Sequence, residues 1–271
     1  MDAKKANLNK DFKDRISPKS QFVKKRIPNV KKIIAISSAK GGVGKSTIAA
    51  NIAVELGKNF NVGLLDADIY GPSIPQLFGV KEKPTTDDGK RLNPIIKFNV
   101  YLMSIGFLVD EKSPMVWRGP MVISAIKTFV NNVNWSSLDY LIIDMPPGTG
   151  DALITFSQEL EIDGAIIVTT PQKLSVNDAM RGIEMFKKTN VPILGVIENM
   201  SYLIDENNSK RFIFSKGGGE MISKNQNIKL LGQIPIHESI SKSSDDEVPL
   251  MHSMNEDIIT NEIKNIALKI K

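Results

Sequence analysis

Six short runs of this chain are apolar almost from end to end: IIAIS (33–37), VGLLD (62–66), VYLMSI (100–105), YLIID (140–144), GAIIVTT (164–170) and PILGVIE (192–198). A strand with one wet face alternates apolar and polar residues. Runs without that alternation, rich in β-branched residues, suit strands covered on both faces, the situation inside a parallel sheet. Between them lie stretches of helical pattern: STIAANIAVELGK, SAIKTFVNNV and SVNDAMRGIEMFKK, the last with Ser175 as its expected N-cap. Strand and helix taking turns imply βαβ units and a doubly wound α/β fold, a mostly parallel sheet with helices on both faces in three layers. The final segment, NEDIITNEIKNIALKIK, sets Ile259, Ile263, Ile266 and Ile270 on one helical face. That spacing is expected to pack on the sheet, and a membrane-targeting helix is the alternative. With no internal repeat and no second core, residues 31–271 read as a single domain.

Charge is distributed unevenly. Residues 1–32 hold 11 Lys or Arg against 3 Asp or Glu, while the rest of the chain holds 24 against 27. Residues 1–30 are therefore expected to form a basic, flexible tail on a mildly acidic body. A basic arm can bind nucleic acid or anionic lipid. This one lacks clustered arginines and interleaved aromatics, and no nucleic-acid partner is expected. No stretch approaches the ~20 apolar residues of a membrane span, and the start of the chain lacks a secretory segment, so a cytoplasmic protein without stable membrane insertion is expected. The chain contains no cysteine. Disulfides, thiolate zinc sites and cysteine-held clusters are thereby excluded within it.

The stretch AKGGVGKS (39–46) follows the first apolar run and opens the first helical pattern. Strand, glycine-rich loop and helix in that order make a phosphate cradle, with alanine at the position where the pattern begins with glycine. Gly41, Gly42 and Gly44 let backbone N–H groups crowd around an anion, helped by the helix N-terminus. Lys45 is placed to meet the β- and γ-phosphates of ATP, and the Ser46 hydroxyl to hold Mg²⁺. Val43, Thr47 and Ala39 complete the loop. Lys40 is a second lysine in a loop whose phosphates need only one.

Two further stretches end apolar runs with carboxylates, at the edge where open α/β sheets bind ligands. LLDADIYGPS supplies Asp66 and Asp68, and LIIDMPPGTGD supplies Asp144. Asp144 stands where a carboxylate holds Mg²⁺ through water, Asp68 where one activates water, and Asp66 where one serves the metal. Either member of the Asp66–Asp68 pair has an alternative reading as a cap on the segment that follows. The turn PPGTG after Asp144 suits a γ-phosphate sensor.

KGGVGKST with its extra lysine resembles the deviant Walker A loop of the SIMIBI class of ATPases, which includes MinD, ParA and nitrogenase iron protein. The resemblance implies that Lys40 crosses a dimer interface and acts on the partner's nucleotide. Further along, DADIYGPSIPQLFG, MVWRGPM, DYLIIDMPPGTGD, TTPQKLSVNDAMRGIEMF, IENMSY, KGGGE and LLGQIPI, in that order, resemble the Mrp/ApbC family over roughly residues 30–250. Members are P-loop ATPases that bind and transfer iron–sulfur clusters, so the resemblance implies a homodimer that serves apoproteins or assembly factors. It also implies that Asn199 hydrogen-bonds the adenine ring; a turn residue at a strand end is the plainer reading. It gives Trp117 and Arg118 a family motif without a definite chemical role. Nothing in their surroundings marks His237 or His252 as ligands, and both are expected at the surface.

The chain departs from that family at one place. Where members carry Cys-x-x-Cys, it has Asp205 and Asn208 at the same spacing. Hard oxygen ligands match iron–sulfur clusters poorly, so a cluster on this chain is doubtful. Three readings stay open: an ATPase of the cluster-carrier type that has lost its own ligands, a nucleotide-switched ParA- or MinD-like protein for DNA or membrane, and an ATP-binding scaffold with no cluster.

Overall fold

The structure, a computed structural model, describes residues 24–108, 119–207, 209–253 and 256–271. All six apolar runs are strands: β1 (Val30–Ser37), β2 (Val62–Asp66), β4 (Val100–Ser104), β5 (Leu138–Asp144), β6 (Gly164–Thr169) and β7 (Ile193–Glu198). Two short strands join them, β3 (Ile95–Lys97) and β10 (Leu230–Gln233), giving an eight-stranded sheet in the order β10-β7-β6-β1-β5-β2-β4-β3. Only β3 runs antiparallel to its neighbour. Every residue of β2 and of β6 is buried, as unalternating apolar runs demand. A separate hairpin, β8 (Leu203–Ile204) with β9 (Lys210–Arg211), follows β7.

The helices are α1 (Lys45–Gly57), α2 (Ile74–Leu77), α3 (Gly119–Asn131), α4 (Asp151–Glu159), α5 (Lys173–Lys188), α6 (Gly218–Gln226), α7 (Glu238–Asp245), α8 (Leu250–Ser253) and α9 (Ile258–Ile270). Ser175 does not cap α5. The helix begins two residues earlier, after Gln172, and Ser175 is buried with its hydroxyl 2.9 Å from Thr169 Oγ1 at the end of β6. Its side chain ties helix to strand, and the extended backbone of Gln172 makes the turn instead.

α9 packs against α1 and β10, with Ile259, Ile263, Ile266 and Ile270 all buried. Gly232 makes this docking flush: a Cβ there would lie 2.6 Å from Ile266 Cγ1. A capping box starts the helix, Asp257 Oδ1 accepting from the Ile259 and Thr260 N–H groups at 2.8 and 2.7 Å. Among the described residues no helix is long and apolar enough to cross a membrane.

The body starts before residue 31. Ile27 is buried, the Lys25 N–H donates to the Glu159 carbonyl at 2.8 Å and the Lys25 carbonyl accepts from the Glu161 N–H at 2.9 Å, and Lys24 Nζ donates to the Thr189 carbonyl at 2.6 Å. Residues 24–30 are therefore part of the folded body rather than of a tail; the rest of the expected tail lies outside the described residues.

The sheet register decides what comes next. Asp66 of β2 and Ile36 of β1 both lie opposite Asp144 of β5. The carboxyl ends of three adjacent strands thus bring the glycine loop and all three candidate aspartates to one edge.

Candidate active site

The loop between β1 and α1 turns through two left-handed glycines, Gly42 (φ 77°) and Gly44 (φ 84°), which only glycine adopts cheaply. Gly44 is the N-cap of α1, and no side chain caps that end. The first N–H groups of the helix are thus left for an anion, with the dipole's positive end behind them. A Cβ at Gly41, Gly42, Gly148 or Gly150 would meet nothing within 4 Å. The space over the loop, and beside the Pro146–Gly150 turn, is open. Ser38 joins the two turns: its carbonyl accepts from the Gly148 N–H at 2.9 Å, and its hydroxyl donates to the Lys40 carbonyl at 2.9 Å.

Lys45 is buried at the foot of the loop. Its ammonium donates to Asp144 Oδ1 at 2.6 Å and to Ser46 Oγ at 3.3 Å, and lies 3.9 Å from Asp68 Oδ2. Asp144 is wholly buried, and its second oxygen, Oδ2, has no hydrogen-bond partner. A buried carboxylate oxygen left empty is costly unless something arrives to use it. A water carried on a metal ion would supply the missing donor, so the chemistry of this donor set, Ser46 hydroxyl and Asp144 carboxylate, fits Mg²⁺. Burial raises the Asp144 pKa, opposed by the neighbouring Lys45 charge. Burial raises the Asp68 pKa in the same way, again opposed by Lys45. Asp68 Oδ1 accepts from the Tyr70 and Gly71 N–H groups, both at 3.3 Å, which turns Oδ2 toward Lys45.

Asp66 differs from its neighbours. Burial first, and then the Asp144 charge, push its pKa up to about 7. Both of its oxygens already accept hydrogen bonds from the protein, including one at 3.0 Å from Ser104 Oγ. It is therefore less available to a metal than the sequence pattern suggests. Ser104, at the end of β4, has no sequence signal; only the register that sets it opposite Asp66 reveals it.

Asn199 lies against the loop itself. Its Nδ2 donates to the Val43 carbonyl at 2.8 Å, and a Cβ at Gly44 would fall 2.3 Å from that nitrogen. Gly44 is required by this contact as well as by its φ. Met200, the next residue, is left-handed at φ 54°, and the buried Glu198 before it accepts from Ser201 Oγ, Gly219 N–H and Gln233 Nε2. A strained turn and a buried carboxylate thus hold Asn199 in place. Lys40 is exposed, and its ammonium forms no hydrogen bond or ion pair with any described residue. Ala39, Ser46 and Thr47 are half-buried along the cradle. His237 and His252 are exposed, as expected, His237 capping α7 and His252 lying over Phe98 at 4.1 Å.

Residues 29–271 match the ParA family of NUBPL iron-transfer P-loop NTPases. The chain belongs to that family. Over 250 residues it is 44% identical to an iron–sulfur cluster carrier protein of Aquifex aeolicus, spanning 91% of this chain and 69% of that protein. It is 45% identical over 248 residues to a mitochondrial iron–sulfur protein of Arabidopsis thaliana required for NADH dehydrogenase, spanning 90% and 79%. Among solved structures, a nucleotide-binding protein of Archaeoglobus fulgidus in complex with ADP superposes with a TM-score of 0.75 at 37% identity, covering 86% of this chain and 92% of that one. The cell-division ATPase MinD of Pyrococcus furiosus shares the fold, with a TM-score of 0.67 at 22% identity.

The family's cargo meets no ligands here. The chain has no cysteine, and among the described residues no three His, Asp or Glu gather as a metal site. Asp205 closes the β8–β9 turn, Oδ1 accepting from the Asn207 and Ser209 N–H groups at 3.0 and 2.9 Å. Oδ1 of this carboxylate is thus committed to the turn. Asn208, Trp117 and Arg118 lie outside the described residues.

Proposed function

We propose that the chain is a Mg²⁺-dependent ATPase that acts as a homodimer in the assembly or delivery of iron–sulfur clusters to apoproteins, without ligating the cluster itself. The observation that carries the ATPase is Asp144: buried, bonded to Lys45 through one oxygen and unpartnered at the other. Lys45 binds the terminal phosphates, exchanging its pairing with Asp144 for one with them. Ser46 and Asp144 are the residues that would hold Mg²⁺, which when bound would neutralise charge on the phosphates. The backbone of Ala39 to Thr47 orients the phosphate chain. Asn199 keeps the loop in register through its bond to the Val43 carbonyl, and its role toward the adenine ring rests on the family resemblance. Asp68 takes the proton of the attacking water, and Lys40 of the partner completes the site.

Asp68→Asn is expected to lower kcat by about 10²–10⁴ and to leave ATP affinity within about twofold, the signature of a lost general base. Turnover and equilibrium binding of labelled ATP measure both. Equal losses in the two would return Asp68 to a structural or metal-binding role.

The missing cysteines favour a second reading, an ATP-driven scaffold that brings clients together and carries no cargo. Both readings expect the purified chain, reconstituted anaerobically with iron and sulfide, to gain no visible absorbance band and no stoichiometric iron, since it has no thiolate to offer. They part when an apoprotein is added with a cluster donor: ATP-dependent acceleration of transfer identifies the first, and client binding without acceleration the second.

A further inference from the structure

The turn that carries Asp68 runs from Ala67 to Ser73, and Asp66 stands at its root with no exposed surface. One carboxylate holds both ends of this turn. Asp66 Oδ1 accepts from the Asp68 N–H at 3.1 Å, and Oδ2 accepts from the Ile74 N–H, where α2 begins, at 3.0 Å. Oδ2 also accepts from Ser104 Oγ at 3.0 Å, and Ser104 Oγ in turn accepts from the Gly106 N–H at 2.9 Å. The chain of donors therefore runs from the end of β4, through Ser104 and Asp66, to the backbone of Asp68 itself.

Asp144 makes the contrast. It has an oxygen with no partner, as a group awaiting a ligand should, whereas each oxygen of Asp66 is engaged by the protein. Three of the roughly four acceptor sites of this carboxylate are therefore taken by the protein, which leaves little for a metal-bound water. The same three donors make a carboxyl group tolerable at full burial, since N–H and O–H groups converge on it.

We infer that Asp66 and Ser104 are positioning residues for hydrolysis, acting through Asp68 by fixing the turn from which it reaches the Lys45 side of the site. This rests on the reading of Asp68 as the residue that activates water. The interaction is local: the hydroxyl of Ser104 bonds Asp66 and the Gly106 N–H, and no hydrogen bond among the described residues links it to the glycine loop or Lys45, so its loss is expected to loosen residues 67–74 and spare the cradle.

The test uses the full-length chain and Ser104→Ala, a substitution small enough to fit the same buried space. Turnover is expected to fall about 10- to 150-fold, the range for one hydrogen bond to a charged group, with ATP affinity within about twofold. Placed on Asp68→Asn, the same substitution is expected to cost nothing further in residual turnover, because the residue it acts through is already gone. Amide hydrogen exchange of the nucleotide-free protein is expected to quicken at 67–74 and to stay unchanged at 39–46. Turnover and exchange both like the parent's would overturn the inference. So would equal losses of affinity and rate, or the same fold-loss on the Asp68→Asn background. If the parent chain itself proves unable to hydrolyse ATP, the ATPase reading fails by itself. Exchange then decides: faster exchange at 67–74 supports the role of Asp66 and Ser104 in fixing the turn, and unchanged exchange refutes it.

Discussion

Lys40→Ala is expected to reduce ATP turnover by about 10³–10⁵ while ATP affinity stays unchanged, a loss of roughly 4–7 kcal/mol of transition-state stabilisation. The reason lies in where the side chain is. Lys40 belongs to the glycine loop, yet it is exposed and its ammonium forms no hydrogen bond or ion pair with any described residue, whereas Lys45 of the same loop is buried and paired. A cation on the loop that serves nothing in its own chain is available to a second copy. A trans-acting cation of this kind stabilises charge only when the partner's terminal phosphates are being transferred. A surface lysine without such a role would be worth about 0–1 kcal/mol, so the two cases are separated by several powers of ten in rate. Mixing decides whether the action crosses between subunits. Lys40→Ala and Asp68→Asn chains are each expected to be nearly inactive alone. In a mixed dimer one site combines an intact Asp68 with the partner's intact Lys40, and activity should return in part. Heterodimers that form but remain inactive would place Lys40 outside the partner's site.

Lys45→Ala should have two effects, one on ligand and one on the fold. The first is loss of nucleotide binding, read as the absence of any ATP-dependent rise in melting temperature; a parent-like rise would remove Lys45 from the phosphates. The second is a destabilised nucleotide-free protein. Lys45 is the partner of a wholly buried carboxylate at 2.6 Å, and removing one member of such a pair costs about 3–5 kcal/mol because the other is left as an unpaired buried charge. For a chain of this size that is on the order of 10 °C in Tm. The penalty should depend on pH with a definite sign. The Asp144 pKa is raised in the folded chain by burial, and Lys45 is the leading influence holding it down. Without Lys45 it climbs further. Between the unfolded and folded values the folded state binds more protons, so stability falls as pH rises through that interval. The Tm gap between variant and parent should therefore be narrow in mild acid and widen toward neutral and basic pH. A gap that narrowed with rising pH would contradict the pairing.

Much of this molecule is legible in one dimension because the physics behind it is local. Six unalternating apolar runs can only be covered strands, and all six are. KGGVGKS between a strand and a helix is a phosphate cradle because glycine conformations, a helix N-terminus and one lysine are properties of a dozen contiguous residues. The complete lack of cysteine is likewise a statement about composition, and it separates this chain from its family's cargo chemistry without any coordinates. The strands β3 and β10 escaped that reading because they are short and lie at the sheet edges, where three or four residues carry too little pattern.

What remained for the tertiary structure were relations between residues far apart in sequence. Asp66, Asp68 and Asp144 look alike at the ends of apolar runs. The register that sets Asp66 opposite both Asp144 and Ser104 divides them into a carboxylate with an empty oxygen and one with none. Asn199 stands 156 residues from Val43, and only the closing of β7 beside β6 and β1 brings its amide to the loop. Ser175 carries the mark of a helix cap and instead bonds the end of β6, since a buried hydroxyl takes whichever partner packing puts within reach. The sequence by itself determined the sheet, the phosphate loop and the lack of any thiolate, because the first two follow from neighbours along the chain and the third from composition. Which carboxylate is free to act was decided only in three dimensions, where hydrogen bonds between strands allot the donors.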